Sequence, residues 1–436
     1  MDANRKTAFL TLMDVEAKKA YSNLALNHQI IINRPGSQSF VRQLVYGVLE
    51  NKLTIDYYLD ILLKDGVESL KTSELTILRM GIYQLGYMDS VPEYAAVNES
   101  VSLAKKYCRS KAGLVNGILR EYINKKIQLR LPDRSEDLVK YFSIKYSYAP
   151  WIVEMWLSHY SEDFVEALLA AGNEKAPMTI RLNWLRVMKQ DLIKKLRANG
   201  YEAEEGSLCQ NAINVKGEKL LESDMYRLGM FTPQDESSML VAEKLDPKHG
   251  ELIMDVCAAP GGKTTAIAER MNNTGKIIAS DIYRRKLDLV DKEAKRLGIT
   301  NIVTRSWDAT RVDSSMVEKA DRVLVDAPCT GLGVVRRKPE IKYKERNMEM
   351  ELLPKKQLAI LSASSSYVKP GGRLLYSTCT VNPEENERVV EQFLKKNPSF
   401  ERVERTLLLP NVNGTDGFFI CVMKKEDLME QIEGIR

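Results

Sequence analysis

Histidine is scarce in this 436-residue chain, with three copies, and the six cysteines form no C-x-x-C pair. Ligand spacing suited to zinc is therefore missing, and no metal is expected. No run approaches the roughly 18 to 20 apolar residues that a membrane span needs, and the stretch Met1 to Ala20 alternates charge too often for a secretory signal. A cytoplasmic protein with free thiols and no membrane partner is expected. Aromatic residues are few, at 7%, but 44% of the chain is hydrophobic and 28% charged, a composition that excludes disordered and fibrous classes. Internal repeats and low-complexity tracts are also missing.

The length exceeds what one hydrophobic core organises, so two or three domains are expected. A net charge of +5 suits a polyanionic partner without demanding one. From Arg5 to Tyr122 apolar residues recur at three- and four-residue spacing, as in Phe40, Val41, Leu44, Val45, Val48 and Leu49. Turn signals at Asn33 to Gly36, Asp65-Gly66 and Ser90 to Pro92 separate helix from helix, predicting an all-α portion over 1–130. A connector over 131–150 follows. A strand at Met178 to Leu182, a helix near Met188 to Ala198 and short strands around Tyr201 and Ile213 predict a small α+β module over 151–232. Over 233–426, strand-like runs at Ile253, Lys276 to Ser280, Ile302 to Thr304, Val323 to Val325, Arg373 to Tyr376 and Phe418 to Val422 alternate with helical stretches. That alternation predicts a doubly wound α/β domain, with a tail over 427–436.

Ligands of such sheets bind beyond the carboxyl ends of the strands. The first strand is followed by Asp255-Val256-Cys257-Ala258-Ala259-Pro260-Gly261-Gly262-Lys263-Thr264-Thr265, where small residues allow a tight turn onto a helix N-terminus. Gly262-Lys263-Thr264 matches the end of a phosphate-binding P-loop, but Cys257 stands where its first glycine belongs, and G-x-G-x-x-G is missing too. At the second strand end Asp281 is placed to hold ribose hydroxyls, and after the third Asp308 is placed to read an adenine amino group. Each aspartate alone would serve as a cap or turn residue. Together they point to a nucleoside cofactor.

The fourth and fifth strands end in Asp326-Ala327-Pro328-Cys329-Thr330-Gly331 and Tyr376-Ser377-Thr378-Cys379-Thr380, so two cysteines should meet at neighbouring strand ends. Buried structural thiols, the expectation for Cys108, Cys209 and Cys421, would sit poorly beside such polar, loop-forming neighbours. Arg336, Arg337 and Lys338 begin a basic stretch that is either a solvated face or a grip for phosphates.

The motifs DVCAAPGGKTT, VLVDAPCTGLG and YSTCT resemble those of the RNA (cytosine-5) methyltransferase family. Tyr46 to Leu49 and Asn116 to Arg120 are similar to the NusB-like domain found in its bacterial 16S ribosomal RNA members, so the likeness spans nearly the whole chain. It implies a NusB-like all-α domain, a small RNA-binding α+β module and a Rossmann-like domain for S-adenosylmethionine (SAM). It implies SAM contacts from Cys257, Ala258, Ala259, Pro260, Gly261, Gly262, Lys263, Asp281, Asp308 and Asp326. It further implies Cys379 as the nucleophile at carbon 6 of a cytosine, Asp326 as the group facing ring nitrogen 3, and Cys329 as the residue that releases product. The partner implied is 16S ribosomal RNA, contacted through Arg336, Arg337 and Lys338, rather than DNA, by a monomer. DNA cytosine methyltransferases use the cysteine of a Pro-Cys pair, which here would select Cys329 instead. Transfer RNA as substrate and a non-catalytic RNA-binding scaffold are the competing expectations.

Overall fold

The computed structural model describes residues 1–126 and 128–427, so the tail beyond Asp427 lies outside the described residues. Two compact units emerge, Met1–Glu174 with Val335–Glu345, and Lys175–Val334 with Arg346 onward. Among the described residues no helix is long and apolar enough to cross a membrane.

The first unit is helical, beginning with Ala3–Lys18, Ser22–Asn33, Gln38–Glu50, Lys52–Leu62, Thr72–Tyr87, Glu93–Tyr107 and Ala112–Lys125. The apolar spacing read around Phe40 becomes the buried face of Gln38–Glu50, whose first turn is capped by the Ser37 hydroxyl accepting from the Phe40 amide. Thr72–Tyr87 is buried on nearly every side and forms the centre of the bundle. Gly47 permits this packing, because a Cβ there would stand 1.9 Å from the Tyr83 ring. Three further helices, Leu138–Tyr146, Pro150–Leu157 and Glu162–Ala171, continue the unit past the point where a connector was expected.

The excursion Val335–Glu345 also belongs to this unit, and it turns several polar groups inward. Glu340 accepts from the Ser22 hydroxyl at 2.8 Å, and the Trp151 indole donates to the Lys344 carbonyl at 2.9 Å. Lys342 is fully buried, its ammonium donating to the Glu50 carbonyl at 2.8 Å and to Asn173 Oδ1 at 2.6 Å. Burial disfavours the charged form and pushes its pKa down to about 7, against the attraction of Glu50. An unfolded lysine keeps its proton up to about pH 10. Between those limits the unfolded chain binds a proton that the folded one has lost, so this group makes stability rise with pH, by up to about 1.4 kcal/mol per unit. Lys342→Met is expected to flatten that rise in urea unfolding measured from about pH 7 to pH 10. A difference between the two proteins that stays constant over this range would refute it.

In the second unit, β1 (Thr179–Leu182), β2 (Glu202–Glu205), β3 (Ala212–Lys216) and β4 (Phe231–Pro233) form an antiparallel sheet in the order β2-β3-β1-β4. Helix Lys189–Ala198 lays Leu192, Ile193 and Leu196 on it. The β-α-β-β order follows the sequence expectation. The added edge strand β4 is three residues long and ends in Pro233, too short for periodicity to show. Arg181 in β1 is fully buried and forms a bidentate pair with Glu269 at 2.8 Å through each nitrogen. It also donates to the Gly262 carbonyl at 2.6 Å, tying this sheet to helix Gly262–Arg270.

The second sheet contains β5 (Leu252–Asp255), β6 (Lys276–Asp281), β7 (Ile302–Ser306), β8 (Ala320–Asp326), β9 (Val368–Thr378), β10 (Phe400–Leu408) and β11 (Phe418–Lys425), in the order β10-β11-β9-β8-β5-β6-β7. β5 through β9 run parallel, while β11 is antiparallel to both of its neighbours. Apolar residues face both ways, Ile253 and Leu324 into one core and Met254, Val323 and Val325 into the other, as a sheet covered on both sides requires. β10 was not expected from the sequence. Its central residues Glu401, Arg402, Val403, Glu404 and Arg405 are exposed, and charge protects this edge from further pairing. Chain order reverses at β5, which places the ligand-binding crevice at the carboxyl ends of β5, β6 and β8.

Candidate active site

Asp255 ends β5 and is buried, accepting from the Thr264 hydroxyl at 2.7 Å. Burial raises its pKa to about 7, with nearby Asp326 adding to the effect of desolvation. The loop then turns through Gly261, at φ 110°, where a Cβ would stand 3.1 Å from the Val290 Cα. Only glycine combines that conformation with that approach. Cys257 lies in this loop, its thiol held protonated by burial and by the carboxylates of Asp255, Asp326 and Asp281.

At the end of β6 the Asp281 carboxylate accepts from the Tyr283 amide at 2.9 Å. After β7, Asp308 accepts from the amide and hydroxyl of Thr310 at 3.0 and 2.7 Å, and these bonds hold its carboxyl below the usual range. Both aspartates therefore serve the local turns weighed from the sequence, and both stand at the carboxyl edge of the sheet.

Asp326 ends β8. One oxygen accepts from Lys263 Nζ at 2.7 Å and the other from the Ser377 hydroxyl at 2.9 Å. Burial works against the Lys263 ammonium, but Asp326 outweighs it and the pKa is raised, with a smaller contribution from Cys379. Lys263, placed by its sequence neighbours with the cofactor loop, thus reaches Asp326 at the carboxyl end of β8. Its pairing also decides against a P-loop: it is the basic residue of Asp255 to Thr265, and it is committed to a carboxylate rather than presented to phosphates.

The thiols of Cys329 and Cys379 lie 3.4 Å apart, half-buried and reduced. Their separation exceeds the roughly 2.05 Å of a disulfide. The contact with Cys379, reinforced by burial, pushes the Cys329 thiol well above its ordinary pKa. The Lys263 ammonium lies close enough to Cys379 for the two to interact electrostatically. Sequence reasoning did not anticipate the support beneath them. Thr330, Gln357, Thr380, Asn382 and Glu385 form one buried hydrogen-bonded group. Arg336, Arg337 and Lys338 are half-buried in the helical unit, where Lys338 Nζ lies 5.6 Å from the centre of the Tyr21 ring.

The strand order, the antiparallel β11 and the polar loops at the carboxyl edge define a Rossmann-like methyltransferase domain, here joined to a NusB-like helical domain and a small ferredoxin-like one. Residues 242–424 match the family model of the 16S rRNA methyltransferase RsmB/F, residues 2–124 that of the NusB family, and residues 148–220 that of the RsmF/B-like ferredoxin-like domain. The "Probable ribosomal RNA small subunit methyltransferase B" of Bacillus subtilis is 35% identical, over 97% of this chain and 98% of its own. The crystal structure of PH0851 shares the fold with a TM-score of 0.85 at 24% identity, over 98% of this chain and 99% of that one. A methyltransferase homologue from Pyrococcus horikoshii has a TM-score of 0.59 at 28% identity, over 65% of this chain and 97% of that one. The chain belongs to the RsmB/F family of 16S rRNA methyltransferases, which are SAM-dependent RNA methyltransferases.

Proposed function

We propose that this protein methylates carbon 5 of one cytosine in 16S ribosomal RNA, using SAM, through a covalent bond between Cys379 and carbon 6. The observation that carries the reading is the pair of thiols 3.4 Å apart beside the Lys263–Asp326 ion pair. The cofactor loop suits a nucleoside without phosphates, because its lysine is engaged by Asp326. Residues Cys257 to Lys263 would cradle SAM, Asp281 its ribose hydroxyls and Asp308 its adenine amino group. SAM supplies an electrophilic methyl group.

Carbon 5 of cytosine is a weak nucleophile. Attack by the Cys379 thiolate forms the sulfur–carbon 6 bond and drives electrons toward ring nitrogen 3, where the proton shared between Lys263 and Asp326 meets the developing charge. Carbon 5, now enamine-like, takes the methyl group. Cys329 then removes the carbon 5 proton, nitrogen 3 returns its proton to the Lys263–Asp326 pair, the carbon 5–carbon 6 double bond re-forms, and Cys379 leaves as a thiolate. The coupling of the thiols orders these steps. While Cys379 is a thiolate, its contact keeps the proton on Cys329. Once Cys379 is a thioether that restraint is gone, and Cys329, which is partly open to solvent, can give its own proton to water and then serve as base.

The target cytosine must be unpaired or flipped to reach the thiols. Arg336, Arg337 and Lys338, which begin seven residues beyond Cys329 (336 − 329), supply phosphate contacts on the strength of their charge. Mapping 5-methylcytosine in total RNA from cells with and without the gene tests the assignment. Loss at one 16S position is expected. Losses confined to transfer RNA would transfer the chemistry to that substrate, and an unchanged map would favour the non-catalytic scaffold.

A further inference from the structure

Glu385 follows β9 in the turn that leads to helix Glu387–Lys396, and it is fully buried. It forms no ion pair among the described residues. Four donors converge on its carboxylate: the Thr330 amide and Gln357 Nε2 on one oxygen, each at 2.9 Å, and the Thr330 hydroxyl at 2.5 Å and Asn382 Nδ2 at 2.9 Å on the other. That number fills the lone-pair sites of a carboxylate.

The direction of the remaining bonds follows from proton counting. Thr330 gives its one hydroxyl proton to Glu385, so in the 2.7 Å contact between Thr330 and Thr380 it is Thr380 that donates. Thr330 follows Cys329 in sequence and Thr380 follows Cys379, so the chain Thr380 to Thr330 to Glu385 straps the two cysteine loops together. Gln357 adds a second hold by also donating to the carbonyl of Pro328, the residue before Cys329, at 2.9 Å. The Tyr376 hydroxyl fixes Glu385 itself through its carbonyl at 2.7 Å.

We propose that Glu385 is a positioning residue for product release, clamping the Cys329 loop against the Cys379 loop so that Cys329 meets the carbon 5 proton once the methyl group is in place. The proposal rests on the covalent reading above. It assigns Glu385 no contact with RNA or SAM. Its effect falls on the step that Cys329 performs, the loss of the carbon 5 proton with expulsion of Cys379, and not on formation of the sulfur–carbon 6 bond.

Glu385→Gln keeps the side-chain shape but turns one acceptor into a donor aimed at two donors. With the full-length protein, SAM and an unmodified 16S ribosomal RNA transcript, it is expected to lower kcat about 100-fold, the scale of a small misplacement of reacting groups. KM should fall with kcat, leaving kcat/KM little changed, because the steps up to the adduct are spared. A protein–RNA adduct stable to denaturation should accumulate, as it should with Cys329→Ala. Thr330→Val, which removes the hydroxyl link and leaves the backbone bond, should accumulate the same adduct, and it decides the matter if Glu385→Gln does not fold. An adduct with Cys329→Ala but with neither of these variants would overturn the clamp alone. No adduct with Cys329→Ala would remove the covalent reading and the clamp with it. A folded Glu385→Gln protein that forms adduct as slowly as it turns over would also overturn the clamp, since the defect would then lie in attack.

Discussion

Alanine at Cys379 is expected to abolish methyl transfer, by at least about 10⁴-fold, because on the proposed mechanism the nucleophile makes carbon 5 reactive. Lys263 and Asp326 would still pair, and the cofactor loop would be untouched, so binding of SAM measured by calorimetry should survive. No RNA adduct should form. The geometry offers one rival, since Cys329 lies 3.4 Å away and follows a proline. An adduct that persists without Cys379 and disappears without Cys329 would exchange their roles. Their environments differ in a way that supports the assignment made here. The contact with Cys379 and burial push the Cys329 thiol well above its ordinary pKa, and Lys263 lies within electrostatic reach of Cys379.

Alanine at Cys329 is expected to have an equally large effect on turnover through a different step. On the proposed mechanism, attack and methyl transfer need only Cys379, SAM and the Lys263–Asp326 pair. The loss of the carbon 5 proton then lacks its base, and the thioether cannot break. The protein should become locked to its substrate, visible as a slowly migrating band on a denaturing gel carrying label from methyl-labelled SAM. One methyl group per protein molecule, followed by no turnover, is the expected stoichiometry. Continued turnover at more than about a tenth of the native rate would show that another base removes this proton and that Cys329 only tunes Cys379.

The contrast between Glu384, Glu385 and Glu387 shows where reading from sequence stops. The three acids stand within four consecutive residues, yet Glu384 is exposed, Glu387 opens a helix, and Glu385 is sealed beneath the cysteines. Nothing local separates them. The donors that select Glu385 come from Thr330 and Gln357, 55 and 28 residues away in sequence. Lys263 is similar: its neighbours placed it with the cofactor loop, and its partner Asp326 is 63 residues distant. The charged edge strand β10 was missed because its exposed residues carry no apolar alternation, and Val335–Glu345 because a basic run gives no sign that Lys342 will be buried.

What the chain determined by itself is the kind of each layer and the location of its loops. Apolar residues at helical spacing, short strands alternating with helices, and glycine where the backbone must turn are local or periodic features, and they write the helical domain, the α+β module and the doubly wound sheet directly into the sequence. Only the tertiary structure decided which polar groups meet. The distance between the thiols, the commitment of Lys263 to Asp326 and the burial of Glu385 arise where parallel strands and their crossover helices bring remote residues to one edge of the sheet. Burial then gives those contacts their force, because removing water strengthens each hydrogen bond and charge interaction that remains.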